Sequence, residues 1–390
     1  MIATTFIVLI GLALLVEIVV THQHLRAAVE RPSQPAPRLP AYPSVTIVRP
    51  VRGRDVDAEA NFTAALDTGY PGEVETLFLF DDAGDPGYPV ACRVVEAHRA
   101  SGRPGRAAVK VVGAPPAGVT GKLNAMMAGE RLAQGELIAF GDSDTRPDRQ
   151  VLRALVDALE PRPDVGCTFA PVVVDGAPLR AGDVGYAMLI NAWYGPSVAL
   201  TARSGEVPFI MGQLMVFRRE ALDAIGGVGC ARGQLVDDMH IGACVARAGY
   251  KNVMIRHPLK IATGGMSVAG FVKLFRRWLL FSRNGLPPSF TWPMWLRGVE
   301  FWVGALALAF AIATGHFFAA LIPAAGLVAF GASLISLGRR FGGAAVPWRW
   351  AWLPYLIPIA APMISAASMV HREVDWRGRA YALDTQARLA

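Results

Sequence analysis

Three textures alternate along the chain. Residues 2–20 are one apolar run broken by a single acid, Glu17. At a helical rise of about 1.5 Å per residue, such a run crosses a hydrocarbon core of ~30 Å. No basic segment precedes it and no small-residue cleavage pattern follows it, so it reads as an anchor and not as a cleaved signal. Its positive flank, His22, His24, Arg26 and Arg31, lies downstream. The positive-inside tendency therefore puts the N-terminus outside and the rest of the chain in the cytoplasm. We expect an anchor over residues 1–22 and a Pro-rich linker over residues 23–43.

From residue 44 to about 263 the pattern changes to that of a water-soluble α/β domain. Short apolar strands, such as residues 45–48, 76–80, 108–112 and 137–140, alternate with helical stretches such as 59–66 and 89–99. Nearly continuous apolar strands separated by helices predict a mostly parallel, doubly wound sheet. In such sheets ligands bind beyond the carboxyl ends of the strands, which directs attention to the residues just after each strand. Residues 264–298 then carry an amphipathic pattern. Phe271, Leu274, Phe275, Trp278 and Phe281 share one helical face, opposite Lys273, Arg276, Arg277 and Arg283, which predicts helices at a membrane interface. Within residues 299–390, apolar spans at 299–314 and 317–337 meet at a turn, Gly315-His316. A last apolar stretch, 350–370, carries Pro354, Pro358 and Pro362 and has arginines on both flanks. Each proline removes a backbone donor and crowds the carbonyl four residues earlier. This segment is expected to enter the membrane and return to the same face, with its C-terminal tail docking under the soluble domain.

Composition sharpens this picture. The chain is 53% hydrophobic and only 18% charged, too apolar for a pair of ordinary soluble domains. Its net charge of +7 is local, because residues 256–297 hold seven Lys/Arg and no acid. A basic stretch rich in Trp and Phe suits an anionic membrane surface, not nucleic acid. Four cysteines, Cys92, Cys167, Cys230 and Cys244, show no metal-binding or disulfide-framework spacing.

Three acidic clusters fall where strands should end: Asp81-Asp82 with Asp85 just after, Asp142-Ser143-Asp144, and Asp237-Asp238 opening a helical run. One such pair can be an ordinary helix cap; three on one sheet rim suggest a site. Such a rim suits a reaction whose leaving group is a diphosphate. A hard divalent ion, Mg²⁺ or Mn²⁺, neutralises diphosphate charge and is held by carboxylate oxygen. Asp144 is the candidate metal ligand and Asp142 its ribose-side partner. An attacking alcohol benefits from a positioned base, for which Asp238 is the candidate. Lys122, in a Gly-flanked turn before a helix, can face phosphate, as can Arg276-Arg277-Trp278.

The order Asp82…Asp85, Asp142-x-Asp144, Asp237-Asp238 and Arg277-Trp278 resembles the motif series of membrane-bound GT-A glycosyltransferases. Within them it is most similar to the ceramide glucosyltransferase family, glycosyltransferase family 21, with its bacterial hopanoid-associated relatives. Val48-Arg49-Pro50-Val51-Arg52-Gly53, Asp85-Pro86, Gly121-Lys122-x-Asn124, residues 212–227, Asn284-x-Leu286-Pro287 and Trp376-Arg377-Gly378-Arg379-x-Tyr381 extend the resemblance over almost the whole chain. Leu274 departs from it by replacing the polar first position of the (Q/R)xxRW motif. A full DxD departs from the eukaryotic ceramide enzymes. The resemblance implies a GT-A catalytic domain, a UDP-sugar donor and a lipid hydroxyl as acceptor. It also implies one-step inversion with Asp238 as base, Asp82 and Asp85 near uridine, and a catalytic domain facing the cytoplasm at the inner membrane. A processive polysaccharide synthase and a non-catalytic membrane scaffold are the competing readings.

Overall fold

The computed structural model describes every residue except 31–37, 205–206, 263, 285–287, 371–372 and 387. Residues 31–37 of the Pro-rich linker and the Leu286-Pro287 motif thus lie outside the described residues. The first helix, α1 (Ile2–Val29), runs past the expected anchor. His22 to Ala28 continue it because they contain no glycine or proline to stop it, and Arg26 and Glu30 pair four residues apart at 2.8 Å.

After the linker come β1 (Val45–Val51), α2 (Ala58–Leu66), β2 (Val74–Phe80), α3 (Tyr88–Ala100), β3 (Arg106–Val111), α4 (Gly121–Leu132), β4 (Leu137–Gly141) and β5 (Thr145–Arg146). They are followed by α5 (Val151–Leu159), β6 (Val165–Phe169), β7 (Val172–Asp175), α6 (Ala181–Ala187), α7 (Gly195–Thr201), β8 (Leu214–Arg218), α8 (Arg219–Ala224), α9 (Asp237–Arg247), β9 (Lys251–Met254) and β10 (Leu259–Ala262). Seven strands form one sheet in the order β3-β2-β1-β4-β8-β6-β9. The pairings β1–β2, β1–β4, β2–β3 and β6–β9 are parallel, and β8 alone runs against its neighbours. The mostly parallel α/β sheet expected from the apolar strands is therefore present. β4 is buried along its whole length, which explains a strand with no polar alternation. The carboxyl ends of β1, β2 and β4 reach one rim, where the chain order switches from β1 to β4 and ligands bind in such sheets.

The remaining chain forms α10 (Val268–Asn284), α11 (Pro288–Ala313), α12 (Phe317–Arg340), α13 (Leu356–Val370), β11 (Glu373–Trp376) and β12 (Arg379–Ala382). Among the described residues, four segments are long and apolar enough to cross a membrane: Ile2–Val29, Thr291–Ala313, Phe317–Arg340 and Trp348–Ala367. α1 and α12 approach closely, since a Cβ on Gly11 would lie 2.6 Å from Ile322 Cγ2. The apolar face of α10 is turned into protein, with Phe271 and Phe275 stacked at 5.8 Å and buried. A π-helical stretch, Met188–Tyr194, carries the soluble domain onto the bundle: Trp193 meets Phe330 edge-on at 6.3 Å. One apolar core thus joins Val184, Met188, Phe271, Phe330 and Leu334 across the expected domain boundary.

The described ends of the segment between α12 and β11, Phe341 and Glu373, both lie against the catalytic domain or α10. Phe341 lies against Gly195 of the catalytic domain, and the Glu373 carbonyl accepts from Arg276 Nη2 at 3.1 Å. Between these ends the segment reaches the middle of α12, where the Tyr355 hydroxyl donates to the Leu327 carbonyl at 3.0 Å. The inward arm consists of short 3₁₀ turns and the outward arm is the helix α13. Pro362 has no N–H for the Pro358 carbonyl, and the Trp302 indole donates to that carbonyl instead at 3.1 Å.

Candidate active site

The rim carries a cavity of about 170 Å³ lined by Asp81, Lys122, Asp142, Asp144, Tyr186, Tyr194, Asp237, Asp238, Arg277, Trp278, Trp376, Arg377 and Tyr381, among others. Of the residues the sequence singles out, the fold brings together Lys122, Asp142, Asp144, Asp238, Arg277 and Trp278. Asp82, Asp85 and Arg276 stand outside the cavity lining.

The DxD loop follows β4 directly and is fixed from below. Arg49 of β1, fully buried, donates to the carbonyls of Asp142 and Thr145. Thr145 Oγ1 also donates to the Asp142 carbonyl at 2.7 Å, and Ser143 Oγ donates to Asp55. Burial pulls the Arg49 guanidinium down to about 10, against the pull of Asp142 and Asp144, so it stays charged at neutral pH. With its backbone held, the loop directs the two carboxylates differently. Asp142 Oδ1 takes the Lys122 ammonium at 2.7 Å. Asp144 stays partly open to the cavity and meets Arg377 Nη2 at 3.5 Å. Burial, with Asp142 and Asp55 nearby, raises the Asp144 carboxyl to about 6 although Arg377 opposes the shift.

Lys122 is presented by the first turn of α4, whose N-cap Thr120 accepts from the Leu123 N–H at 3.1 Å. Burial disfavours its charge, but Asp142, Asp237 and Asp238 outweigh burial and raise its pKa. It is therefore a fixed cation beside three carboxylates.

Asp237 and Asp238 begin α9, and each accepts a backbone N–H of that first turn, at 2.9 Å and 2.8 Å. These helix-start hydrogen bonds and the place of both carboxylates in the cavity coexist. Asp238 Oδ2 also accepts from the Gly212 N–H at 2.7 Å. Burial and the neighbouring Asp237 raise the Asp238 carboxyl to about 6, opposed by Lys122. Asp237 is buried, with its pKa raised by burial, and its Oδ2 has no hydrogen-bond partner among the described residues.

α10 supplies the opposite wall. Arg277 lies over Phe281 at 6.0 Å and over Trp376 at 5.8 Å, and Trp278 meets Tyr194 edge-on at 4.8 Å. Burial lowers the Arg277 pKa. Arg276 points away, to the Glu373 carbonyl.

The first acidic cluster divides its duties. Asp81, not Asp82, faces the cavity, where it takes Arg52 Nη1 at 3.0 Å and Arg379 Nη1 at 2.8 Å. Asp82 is exposed and accepts the Gly84 N–H at 2.9 Å. Asp85 accepts the N–H groups of Gly53 and Gly87, both at 2.8 Å. Asp85-Pro86 therefore ties the loop after β1 to the start of α3. Four contributors not among the candidate site residues are Asp81, Asp237 and the hairpin arginines Arg377 and Arg379. The Trp376-Arg377-Gly378-Arg379 segment was visible as a motif, but nothing local to it shows that it reaches the rim of a sheet more than two hundred residues upstream.

The residues fit a divalent ion in a limited way. Asp144 offers hard carboxylate oxygen open to the cavity, but among the described residues no group of three or more His, Cys, Asp or Glu could hold an ion. That pattern suits an ion shared between one or two carboxylates and a bound diphosphate, a common arrangement for Mg²⁺.

Comparison with known proteins gives three findings. A family model described as Glycosyl transferase family 21 matches residues 4–389. Ceramide glucosyltransferase 3 of Caenorhabditis elegans is 26% identical over 248 residues, 63% of this chain and 52% of that protein, so the match spans about half the length of that relative. Among solved structures, the mannosyltransferase PcManGT from Pyrobaculum calidifontis, in complex with GDP-Man and Mn²⁺, superposes with a TM-score of 0.56 at 20% identity. That match covers 93% of this chain and 99% of the other, a likeness of fold.

Proposed function

The chain belongs to glycosyl transferase family 21, and from that premise we propose that it moves a sugar from a UDP-sugar to the hydroxyl of a membrane lipid such as ceramide. The observation that carries this reading is that Asp144 and Asp238 line one cavity whose far wall is α10, the helix leading into the apolar bundle. A donor seated by the sheet rim and a lipid hydroxyl arriving along α10 would meet there.

In this reading the lipid hydroxyl attacks the anomeric carbon from the face opposite the nucleotide, and configuration inverts in one step. Asp238 takes the hydroxyl proton. With its carboxyl at about 6, it is ionised at neutral pH yet more basic than an exposed aspartate, as a general base requires. The Gly212 N–H fixes one of its oxygens. A divalent ion held by Asp144 would neutralise charge on the departing diphosphate. Lys122 and Arg277 are the cations for the same oxygens, and both sit in a cavity where low dielectric strengthens their effect. Asp81, held between two arginines, is the residue for the uridine end, in place of Asp82.

Supporting the lipid acceptor are the four segments able to cross a membrane and the position of the cavity at their catalytic end. The positive flank after α1 supports a cytoplasmic catalytic domain at the inner membrane. Purified protein in vesicles of total membrane lipid, offered a panel of UDP- and GDP-sugars with Mn²⁺, tests the reading by mass spectrometry. A lipid carrying one sugar, made from a UDP-sugar, is expected. A polymer, or nucleotide release without any lipid product, would overturn it.

A further inference from the structure

The hairpin of β11 and β12 closes the cavity with an unusual turn. Arg377 and Gly378, its two turn residues, have φ of +52° and +73°, the left-handed values of the tight turn that matches strand twist. Glycine, asparagine or aspartate occupies the first position at little cost, whereas a long side chain there is disfavoured. What this arginine gains is in its side chain. Nη1 lies 2.7 Å from Asp55 Oδ1 and donates to the Arg52 carbonyl at 2.8 Å, while Nη2 reaches Asp144 Oδ2 at 3.5 Å. The Arg52 Nε donates back to the Arg377 carbonyl at 3.0 Å.

The hairpin body is anchored independently of that tip. Val374 and Leu383 are buried in the core of the catalytic domain. Trp376 packs on Phe281 at 5.9 Å, and the Gly121 N–H donates to the Tyr381 hydroxyl at 3.2 Å. The fold thus holds the strands firmly and presents a guanidinium to the more open of the two DxD carboxylates. Asp144 needs a cation, lying beside Asp142 and Asp55, and Arg377 supplies it only through a long contact. A divalent ion on Asp144 would repel that guanidinium. With Nη1 still held by Asp55, the acceptors for the freed Nη2 would then be diphosphate oxygens, which suit guanidinium N–H groups.

We propose that the hairpin is a strap over the donor site, and that Arg377 is a positioning residue which shields Asp144 in the empty site and passes to the donor diphosphate once a divalent ion takes its place. This rests on the reading of the cavity as a nucleotide-sugar site. The two roles predict opposite effects of one substitution. Arg377→Asn removes the guanidinium but suits the left-handed turn, so the hairpin is retained; Arg377→Lys, which keeps charge without the fork, is the companion. Calorimetry on the full chain in detergent measures Mn²⁺ alone, then UDP at saturating Mn²⁺. For a half-exposed ion pair, Mn²⁺ alone should bind Arg377→Asn about two- to fivefold more tightly. UDP should bind at least about tenfold more weakly, as expected for a lost charge-assisted bond. Arg377→Lys should fall between for UDP. A merely structural role moves both affinities down together, and that result, or an unchanged UDP affinity, overturns the proposal. If the unaltered protein binds neither Mn²⁺ nor UDP, the reading of the cavity fails first; if it binds both and Arg377→Asn matches it, only the strap fails.

Discussion

Gly212 offers a test of the geometry around Asp238 that leaves every ionisable group in place. Its φ is not in the left-handed region, so alanine meets no backbone penalty and adds only a Cβ. The three atoms nearest to that Cβ all belong to Asp238: Oδ2 at 2.7 Å, Cβ at 2.8 Å and Cγ at 3.0 Å. Restoring ordinary contact requires the carboxylate to withdraw by about 0.7 Å, which also lengthens its bond from the Gly212 N–H. A misplacement near 1 Å costs a reaction about a hundredfold, so Gly212→Ala should lose about 30- to 100-fold in kcat, or roughly 2–2.7 kcal/mol. Crowding a buried site destabilises by about 1–3 kcal/mol, so thermal melting must first show a folded protein. Initial rates of nucleotide release over a range of acceptor then give kcat, and calorimetry gives the donor Kd, expected to change less than about threefold because the three atoms nearest the Cβ all belong to Asp238. A folded Gly212→Ala protein with kcat within threefold of normal would refute a role for the position of Asp238.

Asp144→Ala should abolish metal-dependent donor binding, whereas Asp142→Ala should weaken it less; full activity in excess EDTA would end the metal assignment. Asp81→Asn should raise the donor KM about tenfold or more by loosening a charge-assisted contact, while Asp82→Asn, on an exposed turn, should stay within about threefold; steady-state kinetics of the pair decides which carboxylate serves the nucleotide. A cysteine in place of Ala390 should resist an impermeant thiol reagent in intact cells, because Phe341 and Glu373 both meet the catalytic-domain side, and labelling would place the tail outside.

Much of this was legible because burial leaves a local trace. Strands covered on both faces read as apolar runs, and the carboxylates that follow them mark the rim, so β2, β4 and the DxD loop could be placed from sequence. The prolines at 354, 358 and 362 likewise announced a broken segment, and the Trp302 indole answers the freed Pro358 carbonyl. What stayed hidden depends on distant partners. Whether Asp81 or Asp82 faces the cavity turns on Arg52 and Arg379, one of them near the end of the chain. Asp85 looked like a ligand contact because nothing local shows that the Gly53 and Gly87 N–H groups occupy it. The apolar face of α10 has the spacing of a membrane-surface helix; only the fold shows the soluble domain and bundle covering it. The tail was expected to dock under the soluble domain, but that residues 373–382 form a hairpin whose Arg377 reaches Asp144 depends on partners far upstream and leaves no local trace.

The central claim is that this cavity performs a one-step sugar transfer with Asp238 as base. Asp238→Asn keeps the size of the side chain and an acceptor oxygen for the Gly212 N–H but removes its basicity. Single-turnover transfer to lipid, measured alongside donor binding on the same preparation, tests the claim most directly. The transfer rate should fall at least about a hundredfold with donor affinity largely retained. Near-normal transfer by Asp238→Asn would contradict the claim and move the base elsewhere, with Asp237 first in line.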